Sequence, residues 1–213
     1  MALQVEWLRH ASVRIRTEEG FTVYVDPWEV SGPPADLILV THPHYDHCSA
    51  PDVRKLLGPR TTVVATPAAA ADLRRGGVRA AIVEARHGEP VEVEPARVLP
   101  VPAYNVNKFR SPGVPFHPRH PDFAGYVLTL GGERVYVAGD TDVIPPEVEP
   151  PIDLAIVPVS GTYVMTAEEA AAEVNRLRPA RAMPVHIGAI VGSMADAHRF
   201  AAACRVPVVR PGE

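Results

Sequence analysis

Apolar runs of four to seven residues, separated by Gly, Pro, Asp or Ser, recur along the whole chain, a pattern of short strands with rigid turns. It predicts strands over residues 4–8, 13–16, 22–25, 37–40, 62–65, 80–83, 98–101, 125–130, 134–138, 154–157 and 181–185. Helical signals are fewer. They fall at 51–57, at 68–75 just after Pro67, at 167–178 and at 194–204. The segment 167–178 is the clearest, because Thr166 and Glu169 form a capping-box pattern, Ala170, Val174 and Leu177 make an apolar stripe, and Pro179 ends it. Strands mixed with helices in both halves predict α/β layers.

The order of these elements repeats. Ala11-Ser-Val-Arg-Ile-Arg-Thr, a Gly turn, Val23-Tyr-Val and Asp36-Leu-Ile-Leu-Val are echoed by Ala124-Gly-Tyr-Val-Leu-Thr-Leu, a Gly-Gly turn, Val135-Tyr-Val and Asp153-Leu-Ala-Ile-Val. The echo predicts one domain over 1–213, built of duplicated halves at about 1–100 and 101–213. Five of the strands run at their C-terminal ends into polar clusters: His42 to His47, Tyr104-Asn105, Asp140 to Asp142, Ser160 to Tyr163, and His186. Ligands of layered α/β proteins gather outside the carboxyl ends of strands, so one shared site is expected. The densest cluster, His42-x-His44-x-Asp46-His47, supplies imidazole nitrogens and a carboxylate oxygen within six residues, a donor set suited to zinc, iron or manganese.

His42-Pro-His44-Tyr-Asp46-His47 resembles the HxHxDH signature of the metallo-β-lactamase superfamily. Trp7-Leu-Arg-His10-Ala and Val25-Asp26-Pro27-Trp28 are similar to the opening motifs of its ascorbate-6-phosphate-lactonase-like branch, and Gly139-Asp140-Thr141-Asp142 and Pro184-Val-His186-Ile-Gly188 to its later Asp and His motifs. The resemblance covers essentially the whole chain and implies a four-layer αββα sandwich of two similar halves with metals at one edge. By position, His42 and His44 would hold a first ion, Asp46, His47 and His186 a second, and Asp140 would bridge them. Two divalent transition-metal ions are implied, zinc or manganese ahead of iron or nickel. Asp46 and Asp140 would serve catalysis by a metal-activated hydroxide. His10 and Asp26 would stand behind the ligands, Asp26 fixing the tautomer of a ligating ring. The superfamily's usual third ligand of the first ion, a His after the strand matching 98–101, is missing. Ala103-Tyr104-Asn105 stands there, so Asn105 or His117 is the expected substitute.

The irregular stretch 104–122, broken by four prolines, reads as a lid, with Tyr104, Lys108, Arg110 and Arg119, together with Tyr163 from beyond it, as substrate-binding candidates for an anionic group. Asp142 reads as a turn residue, Cys48 as no ligand, and His87, His120 and His198 as surface residues. Composition then narrows the field. A net charge of −4 speaks against a nucleic-acid binder, the two cysteines form no CxxC pair, and no apolar run approaches the ~18 residues of a membrane span. The 24 prolines, about twice the usual ~5%, predict stiff turns. The expected protein is a cytoplasmic metal-dependent hydrolase of a small, anionic ester, lactone or phosphoester, with a homo-oligomer compatible. The alternatives are a phosphodiesterase or nuclease of the same superfamily, a non-catalytic metal or ligand sensor, and a haloacid-dehalogenase-type phosphatase using Asp140 and Asp142, which would leave the His42 cluster without a role.

Overall fold

The computed structural model describes residues 3–212. Its first half comprises β1 (Gln4–Arg9), β2 (Ser12–Arg16), β3 (Thr22–Val25), β4 (Ala35–Val40), α1 (Ala50–Lys55), β5 (Leu57–Ala65), α2 (Pro67–Arg75) and β6 (Ala81–Glu84). The second half comprises β7 (Val91–Val93), β8 (Ala96–Pro102), β9 (Phe109–Ser111), β10 (Val114–Pro115), β11 (Ala124–Leu130), β12 (Glu133–Val137), β13 (Leu154–Pro158), α3 (Ala167–Leu177), β14 (Arg181–Val185) and α4 (Met194–Ala203). One six-stranded sheet runs β1-β2-β3-β4-β5-β6 and the other β14-β13-β12-β11-β8-β7, while β9 and β10 form a separate hairpin.

The two sheets share a plan. In each, an antiparallel meander (β1-β2-β3, β8-β11-β12) is continued by parallel strands (β4 and β5, β13 and β14). The echoed segments occupy matching places, β2-β3-β4 in one half and β11-β12-β13 in the other. Alternation along each strand sends one set of side chains between the sheets and the other towards the helices. Leu37 and Leu39 of β4 meet Tyr126, Leu128 and Ile156 across the sandwich. Ile38 and Val40 pack instead with Ala69, Ala70 and Leu73 of α2, and Tyr136, Ala155 and Val157 pack with Val174 of α3 and Phe200 of α4. The layers are therefore helix, sheet, sheet, helix. None of the helices among the described residues is long and apolar enough to cross a membrane.

At one end the sheets are stitched together. The Tyr126 hydroxyl donates to the Val40 carbonyl at 2.7 Å, and the Ala124 amide donates to Thr41 O at 3.0 Å. Gly139 turns there with φ of 64°, and a Cβ on it would lie 2.7 Å from Ala124 O and 3.2 Å from Thr41 Cβ, so the close approach requires glycine.

Three short strands, β7, β9 and β10, lie outside the apolar pattern. They are only two or three residues long, and the last two are largely exposed, so alternation cannot announce them. The lid at 104–122 thus contains a small hairpin. Helix α1 ends at Lys55, and Leu57 already belongs to β5.

The α3 capping box is present: Thr166 Oγ1 accepts from the Glu169 amide at 3.1 Å, and Glu169 Oε2 accepts from the Thr166 amide at 2.8 Å. Thr166→Ala removes one of these bonds and is expected to cost about 1 kcal/mol. The thermal midpoint should fall by about 2–4 °C, read by circular dichroism.

Candidate metal centre

The loop after β4 carries His42, His44, Asp46 and His47; the loop after β12 carries Asp140; His186 follows β14, His10 follows β1, and His117 follows the lid hairpin. These eight side chains converge as two groups of four, His42, His44, His117 and Asp140 on one side and His10, Asp46, His47 and His186 on the other, each group offering one donor atom per residue within 4.8 Å of the others. Asp140 touches both. Its Oδ1 is 3.4 Å from His47 Nε2, and its Oδ2 lies 3.8, 3.3 and 3.4 Å from Nε2 of His42, His117 and His186. Within the groups, His42 Nε2 is 3.0 Å from His44 Nδ1, and His10 Nε2 is 3.2 Å from Asp46 Oδ2.

These spacings fit cations. Donors bound tetrahedrally at about 2.1 Å lie about 3.4 Å apart. Moreover His47 Nε2 and Asp140 Oδ1 are buried without a hydrogen-bond partner, although buried polar atoms are ordinarily satisfied. Two facing, unsatisfied atoms in a buried cluster of imidazoles and carboxylates fit a cation as their common partner.

Four of the rings, His42, His47, His117 and His186, have the nitrogen turned away from the site held in place. Asp26 accepts from the Thr41 amide at 2.8 Å, from the Thr41 hydroxyl at 2.7 Å and from His47 Nδ1 at 2.8 Å. Since the Thr41 hydroxyl donates to Asp26, it accepts from His42 Nδ1, 2.9 Å away. One carboxylate therefore sets the tautomer of His47 directly and of His42 through Thr41, one ring in each group. Ser160 Oγ, which donates to Thr162 O, accepts from His186 Nδ1 at 2.9 Å. Backbone conformation contributes as well. His10, Asp26 and His186 all adopt positive φ, 48°, 43° and 63°, and the His10 carbonyl accepts from the His186 amide at 2.9 Å and from the Trp7 indole at 2.8 Å. Such strain persists where surrounding bonds over-determine it.

Asn105 lies behind His117 rather than among the donors. Its Oδ1 accepts from the His117 amide at 2.8 Å and from His117 Nδ1 at 2.9 Å, and its Nδ2 donates to Tyr163 O at 2.9 Å. The expectation of Asn105 as a direct ligand is corrected on that ground: its oxygen is committed twice. His10, expected behind the ligands, stands within the second group. Asp142 is buried and spends its carboxylate on the amides of Val106, Asn107 and Lys108 at 2.6, 2.9 and 2.8 Å, so it shapes the loop that carries Asn105 and is unavailable as a phosphatase nucleophile or acid. Cys48, outside both groups, faces Ala69 O; His120 and His198 are exposed, while His87 is part-buried with its Nε2 3.1 Å from Phe123 O.

A cavity of about 330 Å³ opens over the two groups, lined by His44, Asp46, His117, Asp140 and His186 on its floor and by Arg110 and Tyr163 among its walls. The other three substrate-binding candidates do not line it. Lys108 is held by Glu169 at 2.8 Å, and Arg119 pairs with Glu147 and lies 4.9 Å over the Tyr104 ring, so their charges are already answered. Thr41 and Ser160 were not singled out by sequence reasoning as tautomer-setting residues, although Thr41 directly precedes the HxHxDH run and Ser160 sits at a strand end.

Electrostatics differ between the groups. Burial holds His42 well below the ordinary histidine range and brings His117 down to about 4, so both are neutral near pH 7. Burial also opposes charge on His47, but Asp140 and Asp26 outweigh it and raise that ring to about 10. The Asp140 carboxyl, which burial would raise, is held far down by His186 and His47.

Asp26→Asn should weaken both ion-binding steps by about 10–100-fold, measured by chelator competition on metal-free protein. A loss confined to one step would contradict the link through Thr41. A second expectation concerns protons. His47 carries one below about pH 10 and must release it to use Nε2 as a donor. Metal uptake at pH 7.5 should therefore release a proton and tighten as pH rises towards 10, read by calorimetry in buffers of different ionisation enthalpy; uptake without proton release would count against His47 as a ligand.

Comparison with known proteins agrees with this geometry. The family model described as a beta-lactamase superfamily domain matches residues 13–187. The chain is 30% identical over 238 residues to a UPF0173 metal-dependent hydrolase of Symbiobacterium thermophilum, covering 99% of this chain and 98% of that protein. It is 29% identical to a protein of the same name from Thermococcus onnurineus, again over 99% and 98%. The solved structure of a proposed metal-dependent hydrolase from Parabacteroides distasonis superposes with a TM-score of 0.81 at 28% identity, covering 98% of this chain and 92% of that one. Fold, paired His/Asp groups and whole-length similarity lead to one conclusion: the chain belongs to the metallo-β-lactamase superfamily, among its UPF0173 metal-dependent hydrolases.

Proposed function

We propose that the protein hydrolyses a small anionic ester, lactone or phosphoester at a site holding two divalent transition-metal ions, with zinc or manganese the first choices. The observation that carries this reading is the pair of four-residue groups sharing Asp140, with the unsatisfied His47 Nε2 and Asp140 Oδ1 facing each other at 3.4 Å. His42, His44, His117 and Asp140 would hold one ion, and His10, Asp46, His47, His186 and Asp140 the other. Such ions supply Lewis acidity and bring the pKa of water from 15.7 to near 7.

The chain's own residues do the rest. Asp140, kept ionised by the rings around it, spans both groups and fixes their separation. Asp46, whose carboxyl is kept low against burial by the His10 and His47 rings beside it, stays a carboxylate and can hold water at the cavity floor. Arg110, with no ion pair among the described residues, supplies the positive charge for an anionic substrate, and Tyr163 also lines the cavity. The sequence motifs at Trp7–His10 and Asp26–Trp28 support a place in the ascorbate-6-phosphate-lactonase-like branch. The two free cysteines, Cys48 and Cys204, suit a reducing compartment, and we place the protein in the cytoplasm.

Purified protein should carry close to two transition-metal ions per chain by elemental analysis and should hydrolyse members of an ester, lactone and phosphoester panel. Chelation should abolish turnover and re-addition of metal should restore it. Asp140→Asn should lower kcat/KM by about 10²-fold or more while the fold survives by circular dichroism. A tight metal complex inert towards the whole panel would overturn the hydrolase reading.

A further inference from the structure

The cavity over the metal groups carries its imidazoles and carboxylates at its floor and a single cation on its wall. Tyr45, Phe116, Tyr163, Ile190 and Val191 make up the rest. Several of these apolar side chains are open to solvent: Tyr45 is 67% exposed, Tyr163 41% and Ile190 39%. Large apolar side chains held open around a concave site mark a surface awaiting an apolar ligand. Tyr163 and Phe116 are also held in place. The rings of Phe116 and Tyr163 meet edge to face with centroids 4.7 Å apart. Tyr163 sits at φ of 69°, and its carbonyl accepts from Asn105 Nδ2, the same amide group that holds His117. The aromatic wall is thus braced by the residue that positions a candidate ligand.

The single cationic side chain of this lining is Arg110. Its guanidinium lies 5.7 Å over the Phe116 ring, a stacking that leaves its edge free for a planar anion. Lys108 and Arg119, which would have added charge, are neutralised by Glu169 and Glu147. One unpaired cation answers one negative charge, whereas a nucleic acid or polyphosphate needs a track of several.

From this we infer that the substrate is a small amphipathic monoanion: a hydrolysable bond over the metal groups, an apolar body against Phe116, Tyr163 and Ile190, and one carboxylate on Arg110. A cavity of about 330 Å³ is at the small end for ligand sites and matches a body of ring size. The inference rests on the proposed hydrolase reading for the bond, but the recognition of charge and ring can be tested without turnover.

Calorimetric titration of metal-loaded protein with 4-phenylbutyrate, 4-phenylbutanamide and butyrate separates the contributions. The phenyl acid should bind about tenfold or more tighter than either the neutral amide or the ring-free acid, a ratio expected for one charge-assisted pair and one buried ring. In Arg110→Gln the acid-to-amide ratio should collapse to near one, and Arg110→Lys should restore part of it; in Ile190→Asn the advantage of the ring should shrink. Butyrate binding as tightly as phenylbutyrate, or an acid-to-amide ratio that survives in Arg110→Gln because the carboxylate is read by the ions, overturns the inference. The matching aryl and alkyl esters, with and without a carboxylate, then distinguish the two readings. Selective binding with no matching ester, lactone or phosphoester turned over refutes the hydrolase reading and leaves the pocket assignment standing, while turnover without preference for ring or charge does the reverse.

Discussion

A single buried carboxylate organises the site. Asp26, at the turn after β3, accepts from the Thr41 amide, the Thr41 hydroxyl and His47 Nδ1. Through the hydroxyl it also decides which nitrogen of His42 carries the proton. A neutral imidazole presents its lone pair to a cation when the other nitrogen has somewhere to donate, so one ring in each group takes its donor geometry from this one side chain. Its own backbone is bent to φ of 43° to reach that position, and Ser12 secures the turn by donating to the Asp26 carbonyl at 2.6 Å. Asn105 and Ser160 repeat the device for His117 and His186 with uncharged acceptors.

This scaffold works because the sheets approach closely at one end. The bond from the Ala124 amide to Thr41 O, the glycine at 139 and the Tyr126 hydroxyl on Val40 O bring the loops after β4 and β12 within reach of each other. Asp140 can then lie between rings contributed by both halves. Elsewhere the sandwich is filled by Val, Leu and Ile, which exclude water and lower the local dielectric. That environment is why the buried rings depart so far from solution behaviour: burial brings His117 down to about 4, while at His47 burial is outweighed by Asp140 and Asp26, which raise it to about 10.

Much of this was legible in the residues. The strand-end clusters marked one shared site, and HxHxDH with the later Asp and His motifs marked the superfamily and its fold. The lid was harder, for physical reasons. His117 is delivered by a loop held through Asn105 and Asp142, and no periodicity records which loop folds over which. The charges of Lys108 and Arg119 looked available because their partners, Glu169 and Glu147, are distant in sequence. His10 follows a strand like any other histidine until the bridge between His10 and Ile187 brings the edges of the two sheets together. The apolar walls of the cavity come from one or two residues in each of four separate loops, so no motif announces them.

Each group of candidate ligands draws on both halves of the chain: His42 and His44 meet His117 and Asp140, and His10, Asp46 and His47 meet His186. The tie from the His186 amide to the His10 carbonyl spans nearly the full length of the polypeptide. Neither group exists, then, in a chain whose sheets have formed but not yet docked. Closing such a long loop carries an entropic cost that local contacts cannot offset, so the site belongs to the last stage of folding. Cations that prefer the finished site to the open chain would act as a latch on that final docking step, and protein newly made in a metal-poor cell would have the weaker grip between its halves.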